Sequence, residues 1–244
     1  MNMLGSKLLP QMSGSFAPIS VNNLLLWLDA MDANSIFADI EMTTVAQNGE
    51  AVSGWRDKSG NNNNALQSNG AVAPAKTTNG VQTNGTNKYL AIPSISEGDQ
   101  FTIFCVVTPN DVANSWRTFL GHETYGTNIG WFMWTNAANS VAYSKPTGFT
   151  VYTSNDTTRK ILTFGKDTNT GYIYKNGVLE SSASQPSYNQ SNVSLTIGCR
   201  HSNDGSSVVD YVAATFHEIA IFSRWLTDTE RSEMNEYMAS KWGI

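Results

Sequence analysis

The chain has 244 residues; 40% are hydrophobic and only 14% are charged, well below the roughly one quarter usual for soluble domains. A formal net charge of −5 excludes a nucleic-acid binder that works through a basic footprint. No apolar run approaches the ~20 residues that cross a bilayer as a helix. Surface polarity instead comes from Ser, Thr and 25 asparagines, residues that suit turns and disfavour helix interiors.

Residues 1–20 read as a separate segment. Met, Gly, Ser, Pro10 and Pro18 are mixed with scattered apolar residues, and neither helix nor strand periodicity is sustained. The 7–15-residue apolar stretch of a signal peptide is missing. The expectation is an N-terminal assembly arm, with Leu8, Leu9 and Phe16 as small apolar plugs into a neighbouring subunit. The alternative is an arm folded back over its own domain. Residues 21–244 then form a single domain.

Within that domain, residues 21–30 (VNNLLLWLDA) are a buried-strand pattern with Trp27 inside. An Asn-rich turn follows at 61–64, then a short strand in KYLAI. Residues 101–109 (FTIFCVVTP) read as a core strand. From RTFLGHE onward, strand patterns recur every 8–12 residues: IGWFMWT, SVAYS, GFTVYTS, KILTFGKD, GYIYK, VLESS, SLTIGCR and ATFHEIAIFSR. That spacing is the signature of a β-sandwich or barrel. Asn176-Gly177 marks a tight hairpin. The one helix lies at the C-terminus. Thr227 and Glu230 form a capping box; Met234, Tyr237, Met238 and Trp242 share one face; Gly243 ends it. The two cysteines, Cys105 and Cys199, both fall in strands and read as buried packing thiols.

Taken in order, LLLWLDAMDANSI, VSGWRDKSGNNNNA, FTIFCVVTP, GYIYKNGVL and FHEIAIFSRWLTDTERSEMNEYMASKWGI resemble the LamG-like domains of the concanavalin A-like lectin/glucanase superfamily. The resemblance runs over about residues 24–244. It implies an all-β, two-sheet antiparallel jelly-roll sandwich, here with an extended N-terminal arm and one short C-terminal helix. Members include lectins, carbohydrate-binding modules, glycan hydrolases, and adhesion or virion proteins, so fold alone does not assign function.

Hydrolysis of a glycosidic bond with retention needs two carboxyl groups about 5–5.5 Å apart. Laminarinase-type members carry them on one strand as Glu-x-Asp-x-x-Glu, and no such segment is present. Glu218 stands alone, and strand alternation puts His217 and Glu218 on opposite faces. No Gly-x-Ser-x-Gly elbow accompanies His122, His201 or His217. The reading is not an enzyme. No cofactor is expected, and no metal ligand is assigned. For Ca²⁺, the Asp57–Asn64 loop offers oxygens, against an Asn-rich turn closed by its own Asx bonds. Where relatives often show Asp-Glu before the last strand, this chain has His217-Glu218.

Glycan binding has diffuse support in seven Trp, nine Tyr and abundant Asn. The candidates for stacking a sugar are Trp131, Trp134, Tyr143 and Tyr152. In GWFMWT, Trp131 and Met133 point one way, and Phe132 and Trp134 the other; one set enters the core. Filling a large core or contacting a subunit is the competing role for all these rings. The leading expectation is a bacteriophage virion structural protein, a capsid decoration or tail component, made in the host cytoplasm. It would form homo-oligomers, contact other virion subunits through the arm and touch host polysaccharide, without membrane insertion. A bacterial carbohydrate-binding module or lectin is the alternative, with a glycan hydrolase third.

Overall fold

A computed structural model of the chain describes residues 16–93, 95–112, 116–124, 129–135, 140–145, 149–185, 191–202 and 205–244. Short strands open it: β1 (Leu24–Asp29), β2 (Ile36–Phe37), β3 (Gly54–Trp55), β4 (Ala65–Leu66), β5 (Ala75–Thr77), β6 (Gly80–Gln82) and β7 (Leu90–Ile92). Longer strands follow: β8 (Phe101–Pro109), β9 (Arg117–Thr124), β10 (Ile129–Thr135), β11 (Ser140–Lys145), β12 (Phe149–Ser154), β13 (Lys160–Lys166), β14 (Thr170–Lys175) and β15 (Val178–Ser184). The last are β16 (Leu195–Ile197), β17 (Arg200–His201), β18 (Val208–Val209) and β19 (Ala214–Phe222), before helix α1 (Asp228–Trp242).

The first sheet runs β15-β14-β13-β8-β19-β6-β5, with β1 also paired to β19; the second runs β12-β11-β10-β9-β16-β7-β4-β3-β2. They pack face to face as an antiparallel sandwich, with β17 and β18 as a separate ribbon. The strand patterns of the sequence recur at these places. The two- and three-residue strands between residues 36 and 82 were not legible, because such short runs show no alternation.

The core forms where both sheets turn large side chains inward. Trp131 of the second sheet meets Phe101 and Phe164 of the first, with ring centroids 6.1 and 5.2 Å apart. Tyr143 meets Phe164 at 5.1 Å. Phe119 and Phe216 close the far part of the same layer at 6.4 Å. Where β12 and β15 border each other, Thr153 Oγ1 donates to Glu180 Oε2 at 3.1 Å and ties the sheets together. The Asn176-Gly177 hairpin has positive φ at both residues, 50° and 80°, which a type I′ corner requires.

Helix α1 has the capping box read from the sequence. Glu230 N donates to Thr227 Oγ1, and Thr227 N donates back to Glu230 Oε2. Met234, Met238 and Trp242 are buried on its inner face, and Gly243 ends it at φ 69°. Cys105 and Cys199 are free, buried thiols, and burial pushes both up strongly.

One expectation changes. Residues 16–20 belong to the domain: Phe16 packs on the core, its ring 6.1 Å from Tyr237 of α1, and Pro18 is buried in a 3-10 turn. The ring is thus half-buried against its own domain. Leu8 and Leu9 lie outside the described residues.

Candidate functional site

The two outer faces of the sandwich differ in chemistry. On the first sheet, β1 and β19 place Trp27, Asp29 and Glu218 under α1. Glu218 Oε1 accepts from Trp27 Nε1 (2.8 Å) and Tyr237 OH (3.3 Å); Oε2 accepts from Trp242 Nε1 (2.6 Å) and pairs with Lys241 Nζ (3.0 Å). Lys241 also reaches Asp29 at 2.8 Å, and Lys58 bridges Asp29 and Asp32 at 2.9 and 3.0 Å. Burial pushes the Asp29 carboxyl up, but Lys241 and Lys58 together outweigh it and hold the group below the usual range. Burial raises Glu218, against the pull of Lys241. Each carboxylate already holds several donors, and this network clamps the helix.

His217 and Glu218 do not point to opposite sides. A bulge between Phe216 and Glu218 breaks the alternation, and both residues contact Trp242. The His217 ring lies 5.2 Å from that indole. Its Nδ1 donates to Asn79 O and its Nε2 pairs with Thr108 Oγ1; burial lowers the ring to about 4, against the opposing pull of the Asn79 bond.

The Asp57 loop uses its own oxygens. Asp57 Oδ1 accepts from Trp27 N and Ser59 N; Oδ2 accepts from Ser59 Oγ and Asn63 N, all within 2.9 Å. Asn61 and Asn63 donate to carbonyls of β1. These are the Asx-type bonds foreseen as the alternative to Ca²⁺. A second oxygen cage, from Asp99, Asp167 and Thr168, is filled by the Lys166 ammonium at 2.8–3.1 Å. Among the described residues no cluster of three or more His, Cys, Asp or Glu has metal-binding geometry.

The second sheet's outer face is aromatic. Register places Trp134, Ala142 and Tyr152 in one cross-strand row of β10–β12, and Phe132, Ser144 and Thr150 in the next. Trp134 stacks on Phe132 at 5.7 Å and donates its Nε1–H to Ser144 Oγ at 2.6 Å. Trp116, just before β9, lies flat on Trp134: centroids 4.1 Å apart, planes 6° apart. Trp116 is 55% exposed and Tyr152 45% exposed, whereas Phe132, Trp134, Ala142 and Ser144 are buried. The open ring of Trp116 is therefore the end of a three-ring stack with a fixed orientation.

Of the four rings proposed for stacking, Trp131 and Tyr143 are corrected. Both are fully buried, because the alternation that turns Trp134 outward turns Trp131 and its neighbour Tyr143 inward. Their polar groups are satisfied inside, Trp131 Nε1 by Glu97 and Tyr143 OH by Gln185. Trp134 and Tyr152 lie on the outer face. Trp116 was missed; the signal available was an aromatic residue immediately before a strand.

The family model for laminin-G-type domains of the concanavalin A-like lectin/glucanases superfamily matches residues 84–230. The chain belongs to this superfamily. Solved structures with the same superfamily fold include the Trypanosoma rangeli sialidase in complex with 2,3-difluorosialic acid. It matches with a TM-score of 0.65 and 13% identity, over 97% of this chain and 36% of that one. The binding domain of botulinum neurotoxin DC in complex with SialylT matches with a TM-score of 0.59 and 15% identity, over 88% and 51%. The same toxin domain with rat synaptotagmin II matches at 0.59 and 14%, over 88% and 51%. At these identities the likeness shows the fold alone, and this superfamily member spans about a third to a half of those chains. No curated protein sequence matches it.

Proposed function

We propose that this domain binds glycans on the outer face of its second sheet. The observation that carries the reading is Trp116, more than half exposed yet fixed flat on Trp134. An exposed indole held in one orientation offers a large apolar face with little entropy left to lose on binding. Pyranose rings present C–H faces that suit such a surface. Membership of a lectin-containing superfamily supports the same reading.

The activity proposed is binding without turnover. What supports this is that Glu218 and Asp29, carboxylates in the last and first strands of the first sheet, are committed to α1 and Lys58. The setting proposed is the outside of a bacteriophage particle, where many copies raise the avidity of weak single sites. A charge-poor surface rich in Asn, Ser and Thr supports close packing against copies of the chain. In this setting residues 1–15 are the docking segment.

Binding is tested with the tag-free chain on a glycan array and on intact bacterial cells, with Ca²⁺ and with EDTA. Saturable binding lost in Trp116→Ala is expected; a folded chain that binds no glycan overturns the reading. Mass spectrometry of purified particles tests the setting: high copy number is expected, and absence of the chain removes it. Deleting residues 1–15 should leave a folded domain that no longer assembles, and an unchanged assembly would refute the docking segment.

A further inference from the structure

The binding face is unusual in its charge. The 39 residues 117–155, which supply β9 to β12 and their connections, contain three charged side chains, Arg117, Glu123 and Lys145. The chain as a whole is 14% charged, so about five would be average. Glu123 is fully buried, and Lys145 closes β11 three positions beyond Ala142. The two outward rows, Trp134–Ala142–Tyr152 and Phe132–Ser144–Thr150, are uncharged. Lys175, at the rim, donates to Ser154. The deficit is a property of the sequence and holds for any arrangement of the connecting residues. What the described part of the stretch does carry is rings and the amide of Asn155.

Resting on the glycan-binding reading above, we infer that the ligand is a neutral polysaccharide and that acidic glycans are discriminated against. A sugar carboxylate is recognised by a guanidinium or ammonium that replaces its lost water. Arg117, the arginine nearest Trp116 in sequence, gives its Nη1 to the carbonyls of Gly85 and Tyr211. The net charge of −5 adds a weak repulsion of anions at long range. Stacking and amide hydrogen bonds need no charge on the sugar. Tyr152, the other exposed ring, lies two strands from Trp134, the ring beneath Trp116, a separation of about 9–10 Å at the usual strand spacing, longer than one pyranose ring. The face thus favours a chain of several sugars over a monosaccharide.

The test is calorimetric titration of the full chain with three probes: a length series of neutral β-glucan and mannan oligosaccharides, sialyllactose, and oligogalacturonate. The expected result is that a neutral series binds, that affinity rises with length and then levels, and that raising the salt leaves it unchanged. Trp116→Ala should weaken this binding at least tenfold, and Tyr152→Ala by a smaller factor, with thermal unfolding confirming that both variants fold. Preferential binding of sialyllactose or oligogalacturonate, weakened by salt and by Trp116→Ala, would overturn the neutral class and leave the site standing. Binding that ignores Trp116→Ala would overturn the site. No binding of any probe or array glycan by a folded chain would remove the glycan-binding reading itself.

Discussion

Glu218 and Glu123 are the same residue type, both with no exposed surface, and the structure treats them in opposite ways. Glu218, on the first sheet, receives two indole N–H groups, a phenol and an ammonium. Among the described residues Glu123, on the second, has no hydrogen-bond partner for either oxygen; Arg200 lies 3.9 Å away, and the Asp210 charge opposes it. Burial accordingly pushes Glu123 up to about 8. The contrast extends to the whole faces. The first sheet's outer surface uses Asp29, Lys58, Glu218 and Lys241 to hold α1 in place. The second sheet's surface near β9–β12 is left aromatic and nearly free of charge. Polar chemistry that looks functional in the sequence holds the helix here, and the proposed binding surface is the one with the least of it.

The largest effect should come from breaking the first face. Glu218→Ala strands Lys241 and the N–H groups of Trp27 and Trp242 in a buried site, and should cost about 3–5 kcal/mol in urea unfolding. A loss below about 1 kcal/mol would mean that the network does not clamp the helix.

The next is a pH effect on the same face. His217 has its folded value lowered to about 4 from 6.5, so between these values the unfolded chain binds more protons. Its contribution is fully present above about pH 6.5 and is lost as pH falls towards 4, by up to about 3 kcal/mol. Denaturant titrations across this range should show the slope, and His217→Gln should flatten it.

On the second face, Trp116→Ala should abolish most glycan affinity, at least tenfold or about 1.4 kcal/mol. Its effect on unfolding should stay within about 1 kcal/mol, inside the range of a single stacked aromatic pair. An equal loss of stability and binding would assign Trp116 to packing instead.

The smallest effect has the opposite sign to the first. Glu123→Met replaces a buried acid without donors by an apolar chain of similar length, which should be neutral or stabilising by about 1 kcal/mol. The sign follows from its raised value. Wild-type stability from Glu123 is fully present below about pH 4.5 and is lost as pH rises through about 8; the variant should not show that loss.

The sandwich, the capping box and the Asn176-Gly177 hairpin were legible because each rests on local chemistry: alternation, cap residues, positive φ. The division of GWFMWT into two faces was legible too, but which face entered the core was not. That depended on Phe101 and Phe164, which lie about thirty residues away on either side. Glu218 could be seen standing alone in sequence, yet its partners Trp27 and Lys241 lie 191 and 23 positions away and meet only through β1 and α1. The bulge at His217 left no mark in the pattern, because an added residue changes facing without changing composition. Trp116 was overlooked because it sits at a strand entry, where periodicity has not yet begun.

The most direct test of the account is to follow the indole N–H resonances of the seven tryptophans while a neutral oligosaccharide is added. The account predicts that Trp116 and Trp134 shift in a saturable way, while Trp27 and Trp242, locked on Glu218, stay in place. Shifts confined to Trp27 and Trp242, with Trp116 unmoved, would put the ligand on the helical face and contradict it.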